Sequence, residues 1–531
     1  MHLPLPSTLS HRRSCSSGIL VLAFFLACGG GSGSSSAPPP TPTPGLVFTK
    51  LVGASLDLWF APADGSPPVA LADSPDTEIF SRASGDRVLY WRYTGSTYSL
   101  CSVKRDGTGR VVLFSGLSAT WGFTGVLDGR AIFLVPEVPA QVRSVALDGS
   151  APLTLAEGNQ LRSTLLDGKL FIGIATDNTY ATGSLITLKA DGTGRTTLLD
   201  VPAYAAASAS GKVFALGMND QEHAYLANLD GTGRQDLGLS RLIRSGWYNW
   251  ENSSQLIFLS GDKAYASISG AAGTFAVTSV SLATGTPETA IIGPLPYYLW
   301  TVEGGRPIVT TTTDAGMTGT LFTVDPASHQ ATPFPGQGIS TRFATTFQGK
   351  VVYTDQTSGT WTDVTLKAAN LDGTAASTVA LAPLHTVSEV NDAPLQGRFL
   401  LKSGDRLVFR RSVTGQAEVC SALVDGTSPR TVSQGSGVKH LEAVAGTVLV
   451  YRAVNGAQGD LFAVNADGTG HVTITNAPED EAFVAMMGHD VVFRRTGLDG
   501  MIRFFTVPLT GGTPRLLVDT GAASAWSAGV I

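Results

Sequence analysis

Charge is scarce in this sequence. Only 15% of its residues are Asp, Glu, Lys or Arg, and the formal net charge is −6. A nucleic-acid binder wants a basic surface, so that class is excluded. Cysteine is nearly absent as well. Of four, Cys15 and Cys28 lie near the N-terminus, leaving Cys101 and Cys420 for some 500 residues, which is no disulfide framework. Cys101 and Cys420 hold the same place in two sequence units and read as buried free thiols. Histidines never pair at HExxH spacing, and no Cys/His cluster has metal-ligand spacing. There is no Gly-x-Ser-x-Gly elbow and no phosphate-binding Gly-x4-Gly-Lys-Ser/Thr loop. Helical periodicity is missing too. Glycine (61) and proline (28) are frequent among β-branched and aromatic runs, which suits many short strands and many turns.

The longest apolar run is Gly18 to Ala27, preceded by His11-Arg12-Arg13. It is too short to span a bilayer and has the anatomy of a signal peptide, residues 1–27. Its end, Phe25-Leu26-Ala27-Cys28-Gly29, resembles a bacterial lipobox, although Phe25 stands where Leu is usual. That resemblance implies a lipid on Cys28, and Gly29 in place of Asp implies the outer membrane. Residues 28–45 then form a Gly/Ser and Pro/Thr tether.

What is abundant is one repeated stretch. KADGTGRTTLLD (Lys189 to Asp200) returns as KRDGTGRVVLF from Lys104, NLDGTGRQDL from Asn228, NLDGTAASTVAL from Asn370, LVDGTSPRTV from Leu423 and NADGTGHVTI from Asn465. An Asp-Gly pair between alternating apolar runs predicts a hairpin with a two-residue loop. Eleven copies fit residues 46–531, most of them 39 to 45 residues apart. Each reads as four short strands, the period of a propeller blade. The first copy lacks a first strand, and AASAWSAGVI (Ala522 to Ile531) supplies one at the far end, so the ends are expected to pair and close the sheet. The fold class is therefore all-β, a β-propeller of about eleven four-stranded antiparallel blades.

These units resemble the TolB-type propeller repeat and the YWTD repeat of lipoprotein-receptor propellers. The matching residues are Leu229-Asp230-Gly231-Thr232-Gly233-Arg234 and its relatives, with Leu89-Tyr90-Trp91 standing where YWTD begins. The resemblance implies the architecture alone.

Aligning the second strands divides the array. Copies 1, 2, 9, 10 and 11 end theirs on Lys50, Arg92, Arg411, Arg452 and Arg495; copies 3 to 8 do not. This favours two rings, residues 116–384 inserted into 46–115 plus 385–531, over one large ring carrying a basic arc. The five cations are the candidate rim for an acidic partner, since convergent guanidinium groups suit carboxylate or phosphate. The Asp of each DGTG is read as turn chemistry rather than a calcium ligand, and His471, which replaces Arg after one DGTG, as a surface turn residue. Trp247-Tyr248-Asn249-Trp250 reads as packing between blades. No cofactor is expected. The function expected is a non-catalytic, lipid-anchored binding or scaffold platform for a protein or other envelope component. The alternatives are a lyase- or glycosidase-type enzyme with its site assembled in the channel, and a self-associating surface layer.

Overall fold

The second strand of each repeat is apolar at consecutive positions because it is buried on both faces. Val47 faces one neighbouring sheet while Leu46 and Phe48 face the other. Each such strand thus helps fill two seams, and this doubling runs through the whole molecule. The computed structural model describes residues 43–531 except 96, 118–121, 219–222, 238–256, 270–274, 294–296, 312–318, 339, 357–363, 381–399, 414–415 and 522–523. Among the described residues there is no helix. There are eleven four-stranded antiparallel sheets.

Ten sheets are consecutive in the chain. Blade 4, for example, runs Gln160–Leu166, Lys169–Ala175, Gly183–Leu188 and Thr196–Leu199. Blade 1 is shared. Its second to fourth strands are Gly45–Val52, Ser55–Pro62 and Val69–Ala72, and its first is the C-terminal Ala525–Val530. Leu46 pairs with Val530 and Lys50 with Ala525, and Gly45 and Ile531 exchange both backbone hydrogen bonds at 3.0 Å. The expected closure is present.

The ring count follows from the cores. One buried cluster joins blade 2 to blade 3 through Leu89, Leu100, Phe133 and Val145. Another joins blade 8 to blade 9 through Val352, Leu366, Leu407 and Phe409. A six-bladed ring inserted into a five-bladed one would instead pack blade 2 on blade 9 and blade 3 on blade 8. Each of the other nine seams likewise has its own cluster, ending with Phe48 of blade 1 on Phe504 of blade 11. The protein is one closed ring, so the two-ring arrangement is corrected to the single-ring alternative. Copies 9, 10, 11, 1 and 2 are then adjacent blades.

Strand direction gives the ring two unlike rims. One carries the turns within each blade that join strand one to two and strand three to four, including DGTG. We call it the turn rim. The other carries the turns from strand two to three and the links from blade to blade. We call it the link rim. The chain enters blade 1 at Gly45 on the turn rim.

Candidate functional site

On the turn rim the repeat consumes its own polar groups. Asp106 Oδ1 accepts from the backbone N of Thr108 at 2.9 Å and from its hydroxyl at 2.6 Å. Asp191, Asp230, Asp372, Asp425 and Asp467 do the same with their own Thr. These hydrogen bonds to the ionised form hold the carboxyls below the usual range. The aspartates serve turn geometry. The loop differs from the expected two-residue type, however. Gly107 N donates to Lys104 O, and of the loop residues 105–107 only Gly107 takes a positive φ, 80°. That is a three-residue loop ending in a glycine bulge.

The rest of the motif was not legible in the sequence. A Cβ on Gly107 would lie 2.9 Å from Ala70 O of the preceding blade, so glycine lets the hairpin tip touch its neighbour. The Arg after the motif reaches the same way. Arg110 donates to Ala70 O, and Arg234 to Thr197 O and Asp200. The second strands of blades 2 to 9 also open on a basic residue, and several of these fasten the turn. Arg87 donates to Ser102 Oγ and Gly109 O, Lys212 to Asn228 Oδ1 and Lys350 to Asn370 Oδ1. DGTGR is therefore a blade-to-blade connector.

The link rim is where copies differ. Strand register sets Phe48, Tyr90, Phe409, Tyr451 and Phe493 at one position, opposite Trp59, Cys101, Cys420, Phe462 and Phe505. Lys50, Arg92, Arg411 and Arg495 stand two residues on. Arg452 stands one residue on, in register with Arg410 and Arg494, so it leaves the strand on the opposite face. Ala453 fills its expected place. The alignment by strand ends hid this one-residue offset.

None of the five forms a bare cationic rim. Lys50 Nζ lies 4.0 Å over the ring of Trp59. Arg92 approaches Asp76 at 3.7 Å. Arg452 crosses to blade 11, where it donates to Glu481 O at 2.6 Å and Asp480 at 2.5 Å. Arg495 pairs with the buried Glu481 carboxylate at 2.5 Å and lies over Phe505. Arg411 is directly opposite Glu418, and its Nε is buried without a hydrogen-bond partner. In blade 8 the same position is Asp355, fully buried and paired with Lys367 at 2.6 Å. In blades 3, 4, 5 and 7 it is Val135, Ile174, Gly217 and Thr311.

Opposite these cations, at the start of the first strands, sit buried charges that the sequence reading missed. Glu78 of blade 2, Lys439 of blade 10 and Glu481 of blade 11 occupy one position and are fully buried. The preceding blade's third strand supplies Asp57, Glu418 and Asp460 respectively, also at one position. At the seam of blades 9 and 10 the pair is matched. Lys439 Nζ donates to Glu418 at 3.1 Å and to the carbonyls of Gly435 and Gly437 at 2.6 and 2.8 Å. At the other two seams acid meets acid. Burial raises the Glu78 carboxyl to about 7, with Asp57 and Asp76 adding to the rise. Burial likewise raises Asp57, Asp460 and Glu481.

The seam of blades 1 and 2 also holds a cavity of about 150 Å³. Asp73, Ser74, Glu78, Tyr90, Arg92 and Cys101 are among the residues lining it. One Glu78 oxygen accepts from Ser74 Oγ; the other, Oε2, is buried with no partner. Cys101 and Cys420 are both buried and free, as expected. His471 is more than a surface turn residue: its Nε2 and the Tyr451 hydroxyl are 2.6 Å apart, and it packs on Phe462. Cys28 and the 247–250 segment lie outside the described residues.

The sheets and their cyclic packing define an eleven-bladed β-propeller. No family model and no curated protein matches the chain. Solved structures similar to it include the β-propeller domain of the Trilobed protease from Pyrococcus furiosus (10% identity, 59% of this chain and 96% of that one, TM-score 0.28). TolB from Acinetobacter baumannii matches at 11% identity over 66% of this chain and 77% of its own, TM-score 0.25. A point mutant of puromycin hydrolase complexed with PGG matches at 13% over 74% and 59%, TM-score 0.26.

Proposed function

We propose that this protein is a lipid-anchored envelope propeller that binds a protein or other envelope component through the link rim of blades 9, 10, 11, 1 and 2. The observation that carries the reading is the contrast between rims. Turn-rim polar groups are mostly spent on the repeat itself, Arg105 Nε being left over. The link rim of this sector concentrates buried charge, with Glu78 Oε2, Arg92 Nε, Arg411 Nε, Asp460 Oδ1 and Glu481 Oε2 all lacking hydrogen-bond partners. Beside them the turns of blades 1 and 11 expose Leu51, Val52 and Leu498, the last at 88%. Polar groups left unmatched at a rim bearing exposed apolar side chains suit a partner that completes them.

The anchor assignment rests on residues 1–45. The chain enters the body at Gly45 on the turn rim. Photo-crosslinking in intact cells tests both parts. Crosslinker at Leu51 or Leu498 is expected to capture a discrete partner, and crosslinker at the turn-rim residue Thr193 none. Equal capture from both rims, or none from either, defeats the platform reading. Cys28→Ala is expected to move the protein out of the membrane fraction.

A further inference from the structure

We propose that the cavity between blades 1 and 2 binds a primary ammonium group, brought by a small free amine or by a lysine side chain of a bound protein, where the seam of blades 9 and 10 holds its own Lys439. The repeat supplies the comparison. Lys439 and Glu78 occupy the same strand position, and Glu418 and Asp57 occupy the same position on the preceding blade. The Lys439 ammonium spends its three protons on Glu418 and two link carbonyls, Gly435 O and Gly437 O. In blade 2 the side chain is an acid instead. The seam keeps Glu78 on the cavity with Asp57 nearby and has no lysine of its own there, while Arg92, cross-strand from Glu78, and Arg110 line the same cavity.

The neighbouring cations are engaged elsewhere. Arg110 is 2.5 Å from Asp73 and also donates to Ala70 O. Arg92 turns to Asp76, and Lys50 lies over Trp59. In blade 11 the equivalent acid, Glu481, is held by Arg495 at 2.5 and 2.8 Å, so the absence of such a clamp on Glu78 is particular to blade 2. What remains is a fully buried carboxyl, one of its oxygens unpartnered, on a residue that lines the cavity. A space of about 150 Å³ has room for an ammonium with a short alkyl stem. The Tyr90 ring and the Val112 side chain among its lining residues suit such a stem.

The groups facing Glu78 set its response to pH. They are Asp57 from the third strand of blade 1, Ser74 and Asp76 from the link, and Tyr90 and Cys101 from its own blade. Asp73, Arg92 and Arg110 complete the charged set. An arriving ammonium favours the ionised carboxylate, so binding releases a proton and tightens as pH rises through about 7.

The test titrates the purified chain with n-butylammonium, using tetramethylammonium at equal ionic strength as a cation with no N–H donor. Saturable binding of butylammonium at pH 8 is expected, at least tenfold weaker at pH 5.5, with tetramethylammonium inert. Glu78→Gln is expected to weaken it at least tenfold, and Glu78→Lys, which copies the blade 10 arrangement, to abolish it. Equal response to both cations, or full binding by Glu78→Gln, overturns the proposal. Should Glu78→Lys fail to fold, the Gln variant decides alone. Capped lysine amide binding more tightly than butylammonium identifies a protein lysine as the source; the reverse order identifies a free amine. This proposal gives the proposed recognition rim a ligand class. Because binding is read on the chain alone, its failure is distinct from a failure to crosslink a partner.

Discussion

Blades 9, 10, 11, 1 and 2 and blades 3 to 8 share one backbone plan and one set of turns, yet they solve the link rim differently. In the first sector the link-rim end of three seams, 9/10, 10/11 and 1/2, is built from buried charge. In the second the same positions carry Val135, Ile174, Gly217 and Thr311, and the one ionic exception, Asp355, is fully matched by Lys367, the Thr341 hydroxyl at 3.1 Å and Gly338 N at 2.6 Å. Blade-to-blade packing alone therefore does not call for charge there. Buried ion pairs are weak evidence for stability, because desolvation offsets much of the attraction. The charged sector is retaining something its apolar neighbours fold without.

The largest test of this contrast removes the fully buried cation, Lys439. Lys439→Met leaves the part-buried Glu418 with the Ser433 hydroxyl alone, beside carbonyls that lose their donor, and is expected to cost roughly 3–5 kcal/mol in denaturant unfolding. Lys367→Met in blade 8 strands Asp355 in the same way and should cost a similar amount. A cost near zero for Lys439→Met would mean that water already serves Glu418, and the sector would not differ from the rest in its buried electrostatics.

Next in size is pH dependence. Glu78 has its folded-state pKa raised to about 7 from an ordinary 4.5. A raised carboxyl pKa favours the protonated folded form. Its contribution is fully present below about pH 4.5 and is lost as pH rises through about 7, a swing of about 3 kcal/mol. Glu78→Gln is expected to flatten the stability profile across that window. Glu78→Leu installs the residue type that blade 4 carries there as Leu161 and is expected to stabilise the ring at pH 8 by roughly 1–4 kcal/mol. A profile unchanged by Glu78→Gln would show that the carboxyl is solvated and the seam open to water.

These differences explain what could be read from the chain. The blade count, the shared first blade and the sector boundary were legible because they depend on turn chemistry and strand period, which are local. Ring count was not. It depends on whether Phe133 packs on Leu89 and Phe409 on Val352, contacts across seams that no local pattern encodes. The basic positions were found, but Arg452 was set one residue out, because alignment by strand ends cannot see which side chain lies opposite Phe462. The buried acids were missed for a related reason. Glu78 and Glu481 begin strands of mixed polarity, and only cross-strand register with Arg92 and Arg495 reveals them as a set.

The smallest predicted effect checks that the sectors differ on the link rim only. After DGT, most copies place a glycine at positive φ, such as Gly109 at 60° and Gly194 at 66°. Blade 8 has Ala375 there at 50° and blade 9 has Ser428 at 51°, one on each side of the sector boundary. Left-handed backbone costs a non-glycine residue roughly 1 kcal/mol, partly offset by the extra freedom glycine gives the unfolded chain. Ala375→Gly and Ser428→Gly are therefore each expected to stabilise by about 0.5–1 kcal/mol, and by equal amounts, because both turns present the same Asp–Thr clamp to the same kind of neighbour. Unequal gains would mean that the turn rim also senses the sector, and the division between a structural rim and a variable one would have to be redrawn.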